Sequence, residues 1–259
     1  MCFVEFVTVV IAERIATVTF SRPPVNALTR QALGEIAVAF ESLADKRVSV
    51  AVFRTGGDKA FIAGADLNEI DARRQSTPAE AVDGGALARR SLEALARCAV
   101  PVIVAVDGAA VGGGLSFVAL SDIVIASERA RFGAVEINVG LLGASAHLRR
   151  MVGEMRAREL YFSGRIIDAT EMAAYGGITH LVAHDQLDVT VDRVATELAA
   201  KSPLALRLAK QAMDRTEGMS VHAAYRVEQD YTNRLLRFDD SAEARTAFLE
   251  HREPQWNWR

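Results

Sequence analysis

The 259 residues include only two cysteines, Cys2 and Cys98. That is too few to staple a chain of this length, so a disulfide scaffold is excluded and two reduced thiols in a cytoplasmic protein are expected. No apolar run approaches the roughly 18 residues that a membrane-crossing helix requires, so no membrane partner is expected. The opening stretch, residues 1–11, is apolar but has no basic flank, and Glu5 interrupts it. It reads as a first strand rather than a leader. Neither sign of charge dominates: 30 Lys and Arg stand against 33 Asp and Glu, for a net charge of −3. The basic surface of an obligate nucleic-acid binder is therefore excluded. Repeats and low-complexity linkers are missing too. What is present, half hydrophobic and 24% charged residues, is the composition of an ordinary globular protein.

Strand-like and helix-like patterns alternate through most of the length, which predicts an α/β fold. Residues 14–20 and 48–54 are β-branched and apolar, each ending at a turn signal. Between them Leu33, Ile36, Ala37, Phe40 and Leu43 recur at helical spacing. Residues 100–106 and 122–126 are near-continuous apolar runs, which suit strands covered on both faces. Leu87, Ser91, Ala94, Leu95 and Cys98 form a second helical stripe. Near residue 185 the pattern changes. Leu187, Val191, Val194, Ala195 and Leu198 mark an amphipathic helix, and Ser202-Pro203 is a helix start. Ser220 and Ser241 are expected to cap two more. Gly84-Gly85, after the polar stretch 73–83, is expected to form a mobile loop. The division expected is a core over residues 1–190 and a helical region over 191–259.

Two glycine-containing segments carry the candidate chemistry. The first, residues 56–67, reads GGDKAFIAGADL and follows the 48–54 strand. The second, residues 107–116, reads DGAAVGGGLS and follows the 100–106 strand. In each, a strand runs into small residues and then a helix start, where backbone N–H groups have no intrahelical partner. A pair of such sites is suited to holding a developing oxyanion. Gly112–Gly114 lacks the Lys-Ser/Thr of a phosphate-binding loop, and the spacing is not that of a dinucleotide fingerprint. Read alone, either glycine segment serves equally well for tight strand-to-helix packing.

Taken together and in this order, the two segments resemble the enoyl-CoA hydratase/isomerase (crotonase) family. The likeness continues through SRPPVNAL at 21–28, FGAVE at 132–136, Gly164-Arg165, SPLA at 202–205 and FLEHR at 248–252, so it spans essentially the whole chain. The resemblance implies a spiral of ββα units with a helical C-terminal region that serves trimerisation and covers the pocket. It implies an acyl-CoA substrate and assembly as a homotrimer or dimer of trimers. It places the oxyanion-hole N–H groups at Ala65 and Gly113, and puts the CoA moiety against Ala63, Gly64, Asp66 and Leu67. No metal or redox cofactor is implied, since CoA arrives as part of the substrate.

Chemistry beside a thioester carbonyl moves a proton at carbon while charge builds on oxygen. Typical hydratases of the family use two glutamates for this. Here the downstream one is kept as Glu136, and Ser116 stands in the upstream place. A hydroxyl cannot serve as a carboxylate base, though it can orient water or a substrate oxygen. Proton transfer then falls to Glu136, with Ser116 in a secondary, positioning role or simply filling space. One retained carboxylate fits the family's isomerases. Ser at this place also resembles its hydroxycinnamoyl-CoA hydratase-lyases, but residues 68–71 offer no tyrosine for a phenol. The expected activity is enoyl-CoA hydration or double-bond migration. The alternatives are acyl-CoA hydrolysis or decarboxylation on the same scaffold, or acyl-CoA binding without turnover.

Other features are read structurally. His180 and His184 have the spacing of a helical metal pair, but the intervening residues read as a strand, so no metal site is expected. His147 is expected near the start of a helix running through Leu148, Met151, Val152 and Met155. Arg207 and Lys210 are expected on a solvated helix face, and Lys59 and Arg22 are weak candidates for CoA phosphate contacts.

Overall fold

Alternate residues of the apolar runs face two different cores, which is why these strands need no polar face. A computed structural model describes residues 5–74 and 85–259. Cys2 and most of the expected 73–85 loop lie outside them. In chain order the elements begin with β1 (Val7–Ala12), β2 (Ile15–Phe20), α1 (Arg30–Glu41), β3 (Val50–Thr55), α2 (Leu67–Arg74) and α3 (Ala86–Ala96). Next come β4 (Val102–Val106), β5 (Ala109–Val111), α4 (Gly113–Leu120), β6 (Ile123–Ser127) and β7 (Arg131–Gly133). A 3-10 turn (Glu136–Val139) leads to α5 (Ser145–Val152), α6 (Glu154–Ser163), β8 (Ile167–Asp168), α7 (Ala169–Ala174) and β9 (His180–Val182). The chain then runs through α8 (Leu187–Ala199), α9 (Pro203–Thr216), α10 (Val221–Leu235) and α11 (Asp239–Leu249).

Among the described residues the main sheet has the order β1-β2-β3-β4-β6-β9, and β5-β7-β8 form a second sheet. Every neighbouring pair of the main sheet is parallel except the β1–β2 hairpin. Ala51, Phe53, Val102, Val104 and Val106 point into the larger core with α1, α3 and α4. Val50, Val52, Ile103, Ala105 and Ile125 point the other way, onto Leu187, Val191 and Val194 of α8. Period-2 alternation with helices on both faces accounts for the unbroken apolar runs. The expected boundary at residue 190 falls inside α8, the helix that covers this second face.

Phe53 links the core to the glycine segments. Its ring meets Phe40 at 5.5 Å, Phe61 at 5.7 Å and Phe117 at 5.7 Å. Phe61 belongs to the first segment and Phe117 to α4, so one ring of β3 anchors both. Each such pair contributes about 0.5–1.5 kcal/mol beyond its buried area.

Several local expectations change in three dimensions. Ser202 and Ser220 accept hydrogen bonds from Ala205 N and Ala223 N as helix caps. Ser241, however, lies in the first turn of α11, which starts at Asp239. The helix through His147 stops at Gly153, where φ is +75°, and Met155 lies in α6. Arg207 and Lys210 are not on a solvated face. Arg207 donates to the carbonyls of Ala44, Lys46 and Val48. Lys210, 5% exposed, places Nζ 2.8 Å from both carboxylate oxygens of Asp122. These contacts hold α9 against the sheet, so the two residues serve the fold.

Candidate active site

The two glycine segments run side by side. Ile62 and Ala110 form a parallel bridge in which Ile62 N–H donates to the Ala109 carbonyl at 2.9 Å and Val111 N–H donates to the Ile62 carbonyl at 3.0 Å. On its other side the first segment is held by Leu28, which bridges Ala65 through Leu28 N to Gly64 O at 2.8 Å and Asp66 N to Leu28 O at 2.9 Å. In a parallel bridge the flanking peptides make the bonds, so the N–H of Ala65 itself points away from Leu28. Beyond the bridge the segments stay close, with a Cβ at Gly112 only 3.6 Å from Gly64 Cα, so Ala65 and Gly113, the first residue of α4, each follow a residue of this contact. Neither N–H has a hydrogen-bond partner among the described residues. Ala65 is exposed and Gly113 half-buried.

Glycine is required along the second segment for two physical reasons. Gly112 has φ +55°, in the left-handed region. Gly114 is pressed against Ile62: a Cβ there would lie 2.4 Å from the Ile62 carbonyl oxygen. Any side chain at Gly114 would push the two segments apart.

Asn26 holds the first segment's entry, a role the sequence did not reveal beyond its place in a family motif. It is 3% exposed, and its Nδ2 donates to the carbonyls of Gly56 and Ala60, both at 2.9 Å. Its Oδ1 accepts from Arg22 N at 2.8 Å. Arg22 pairs with Asp66 at 2.9 Å, while Asp66 Oδ1 accepts from Asn68 N at the start of α2. Ala63, Gly64 and Asp66 thus follow one another along a braced rim, and Leu67 stands half-exposed beside them.

Glu136 opens the 3-10 turn that follows β7 and Val135. Its Oε1 lies 3.4 Å from where a Gly112 Cβ would sit and 2.8 Å from where a Gly143 Cβ would sit. The carboxyl is therefore wedged between two glycines, one of them next to Gly113. Its Oε2 is buried without a hydrogen-bond partner. Burial raises its pKa, against a smaller lowering by its own backbone N–H. A carboxyl so placed takes up and releases protons closer to neutrality than an ordinary one.

Ser116 is 3% exposed on α4, and its Oγ lies 3.5 Å from the Gly112 carbonyl, long for a hydroxyl bond. His147 stands in the first turn of α5 with Nδ1 buried and unpartnered, and desolvation lowers its pKa. His184 contacts Asp107 through Nδ1 at 3.2 Å, and its Nε2 lies 3.1 Å from Arg129. No group of three or more potential metal ligands occurs among the described residues.

The model of the enoyl-CoA hydratase/isomerase family matches residues 11–259. The chain belongs to that family. A (7aS)-7a-methyl-1,5-dioxo-2,3,5,6,7,7a-hexahydro-1H-indene-carboxyl-CoA hydrolase of Mycobacterium tuberculosis is 36% identical over 236 residues, covering 91% of this chain and 95% of the relative. A probable enoyl-CoA hydratase of Mycobacterium bovis is 34% identical over 251 residues, covering 95% and 96%. A crystal structure of an enoyl-CoA hydratase from Mycobacterium smegmatis superposes with a TM-score of 0.91 at 30% identity, covering 97% of this chain and 99% of that one. Family membership accounts for the mixed α/β fold and the order of the two glycine segments. Among the described residues no helix is long and apolar enough to cross a membrane.

Proposed function

We propose that this chain is an enzyme acting on enoyl-CoA thioesters, through an enolate whose oxygen is held by the N–H groups of Ala65 and Gly113. The reading is supported by two unpartnered amides, each one residue beyond the contact of the two bridged segments, and by the Glu136 carboxyl packed against Gly112 of that contact. A thioester carbonyl accepting both amides gains most as its oxygen becomes anionic, so the amides favour the enolate over the ground state.

Glu136 serves as the single acid/base. In double-bond migration its carboxylate removes a proton from the α carbon, the electron pair spreads to the thioester oxygen, and the same carboxyl returns the proton at the γ carbon. Hydration also needs a water held for attack at the β carbon, and Ser116 stands where typical hydratases supply a second carboxylate. The single-carboxylate site thus favours migration over hydration. CoA lies along the rim made by Ala63, Gly64, Asp66 and Leu67, and the reaction uses no metal or redox cofactor. Ser116 has a secondary part, restricted by its burial and by the nearby Gly112 carbonyl.

A second reading, hydrolysis, is favoured by the relative named as a carboxyl-CoA hydrolase. Incubation with a panel of acyl-CoA and enoyl-CoA esters, followed by product mass and by proton NMR for the double-bond position, separates the outcomes. Migration leaves the mass unchanged, hydration adds one water with CoA retained, and thioester hydrolysis releases free CoA. Saturable binding with no product from any ester would sink the enzymatic reading and leave a binding protein.

The proposal extends to assembly as a homotrimer or dimer of trimers. Its support is α10, which packs on α9 yet has no buried residue, with Val221 81% and Tyr225 60% exposed. A sedimentation mass of three or six chains is expected, and a monomer at micromolar concentration would contradict it.

A further inference from the structure

Resting on the reading of Glu136 as the acid/base, we infer that Tyr161 is a positioning residue of the site, acting through Gly143. No hydrogen bond holds Glu136 Oε2, so packing against its neighbours decides where the carboxyl lies. One neighbour, Gly112, is fixed by the second glycine segment. The other, Gly143, belongs to the connection between the 3-10 turn and α5, and its α carbon faces the carboxyl with no room for a side chain between them. A Cβ there would lie 2.8 Å from Oε1 and 3.4 Å from the carboxyl carbon.

The C-terminal end of α6 and its cap Gly164 hold the 3-10 turn at one point and this connection at another. The Gly164 carbonyl accepts from Asn138 Nδ2 at 2.8 Å. The phenol oxygen of Tyr161 accepts from Gly143 N–H at 3.2 Å. Between these grips Leu141 N–H returns to the Glu136 carbonyl at 2.9 Å, closing the turn. Asn138 therefore fixes the turn, and Tyr161 fixes the far end of the connection, where Gly143 faces the carboxyl. The Tyr161 ring is half-buried beside Phe162, at 6.2 Å between centroids. An apolar ring would fill the same space, and only the phenol oxygen reaches the Gly143 amide. Without it Gly143 is free to move away from Oε1, and the carboxyl loses the wall that aims it at the reacting carbons.

The test is Tyr161→Phe, which keeps the ring and removes one oxygen. On the best ester of the panel, kcat is expected to fall by about 10- to 100-fold, the scale of a small misplacement of a reacting group. KM should stay within about twofold, since the CoA rim is untouched. Amide exchange at Gly143, read by mass spectrometry or NMR, should accelerate. Faster exchange with unchanged kcat would overturn the inference, and so would unchanged exchange. A matched loss in binding and turnover would also overturn it, marking a general structural role. Glu136→Gln run in parallel distinguishes the two readings. If that variant keeps full activity, the acid/base assignment fails. Exchange at Gly143 and the Glu136 carboxyl titration, followed by isotope-edited NMR, then decide the Tyr161 contact separately.

Discussion

Glu136→Gln is expected to lower kcat by about 10²- to 10⁴-fold, the usual contribution of a positioned acid/base. Glutamine keeps the shape that fits between Gly112 and Gly143, so KM should change little and the loss should lie in the chemical step. The same substitution is expected to stabilise the protein above acid pH. Burial raises the native Glu136 pKa above that of the unfolded chain, so between those two values the native state binds more protons. Stability contributed by the neutral carboxyl is full below the unfolded value and is lost as pH rises through the native one. The melting temperature of the Gln variant should therefore match wild type in acid and exceed it increasingly towards neutrality. Activity gives the complementary readout, with wild-type kcat following a carboxyl that ionises later than an ordinary glutamate. Unchanged turnover, or a stability difference that does not vary with pH, would show that Glu136 is not a buried proton carrier.

Asp122→Ala is expected to cost about 1–3 kcal/mol, the scale for leaving a buried polar group without its hydrogen-bond partner. Asp122 holds Lys210 Nζ through both carboxylate oxygens and accepts Val102 N–H at 2.7 Å, where β4 begins. Removing it leaves an ammonium in a place where its side chain is 4% exposed, with Asp214 3.9 Å away as the remaining anion. At about 2–4 °C per kcal/mol for a chain of this size, the melting temperature should drop by at least about 2 °C. Lys210→Met should cost less, because Asp122 is 29% exposed on its side chain and keeps the Val102 bond. The double variant Asp122→Leu with Lys210→Met should recover much of the loss, since no charge is then stranded. A loss under about 1 kcal/mol for Asp122→Ala would mean that water or Asp214 already satisfies Lys210. α9 would then be held by other contacts.

These two expectations differ in how far the sequence foreshadowed them. Glu136 stands out in the sequence as a candidate through its motif and through the departure at Ser116. Lys210 does not, because Arg207 and Lys210 at helical spacing read as a solvated face. Its partner lies 88 residues earlier in the chain, and spacing along one helix carries no information about another element. Asn26 and Tyr161 were hidden for the same reason: each acts on backbone atoms brought close only by folding. Helix ends were missed where a local conformation overrode the apolar stripe, as at Gly153.

The sequence by itself determined the α/β alternation, the strands covered on both faces, the helical end of the chain and the family, because apolar periodicity and glycine motifs are local and survive in one dimension. Only the tertiary structure decided that the N–H groups of Ala65 and Gly113 are left without partners among the described residues, that Glu136 is wedged between Gly112 and Gly143, and that α9 is tied to the sheet by a buried charge. Those facts depend on which segments become neighbours, and hydrogen-bond register and desolvation exist only once they do.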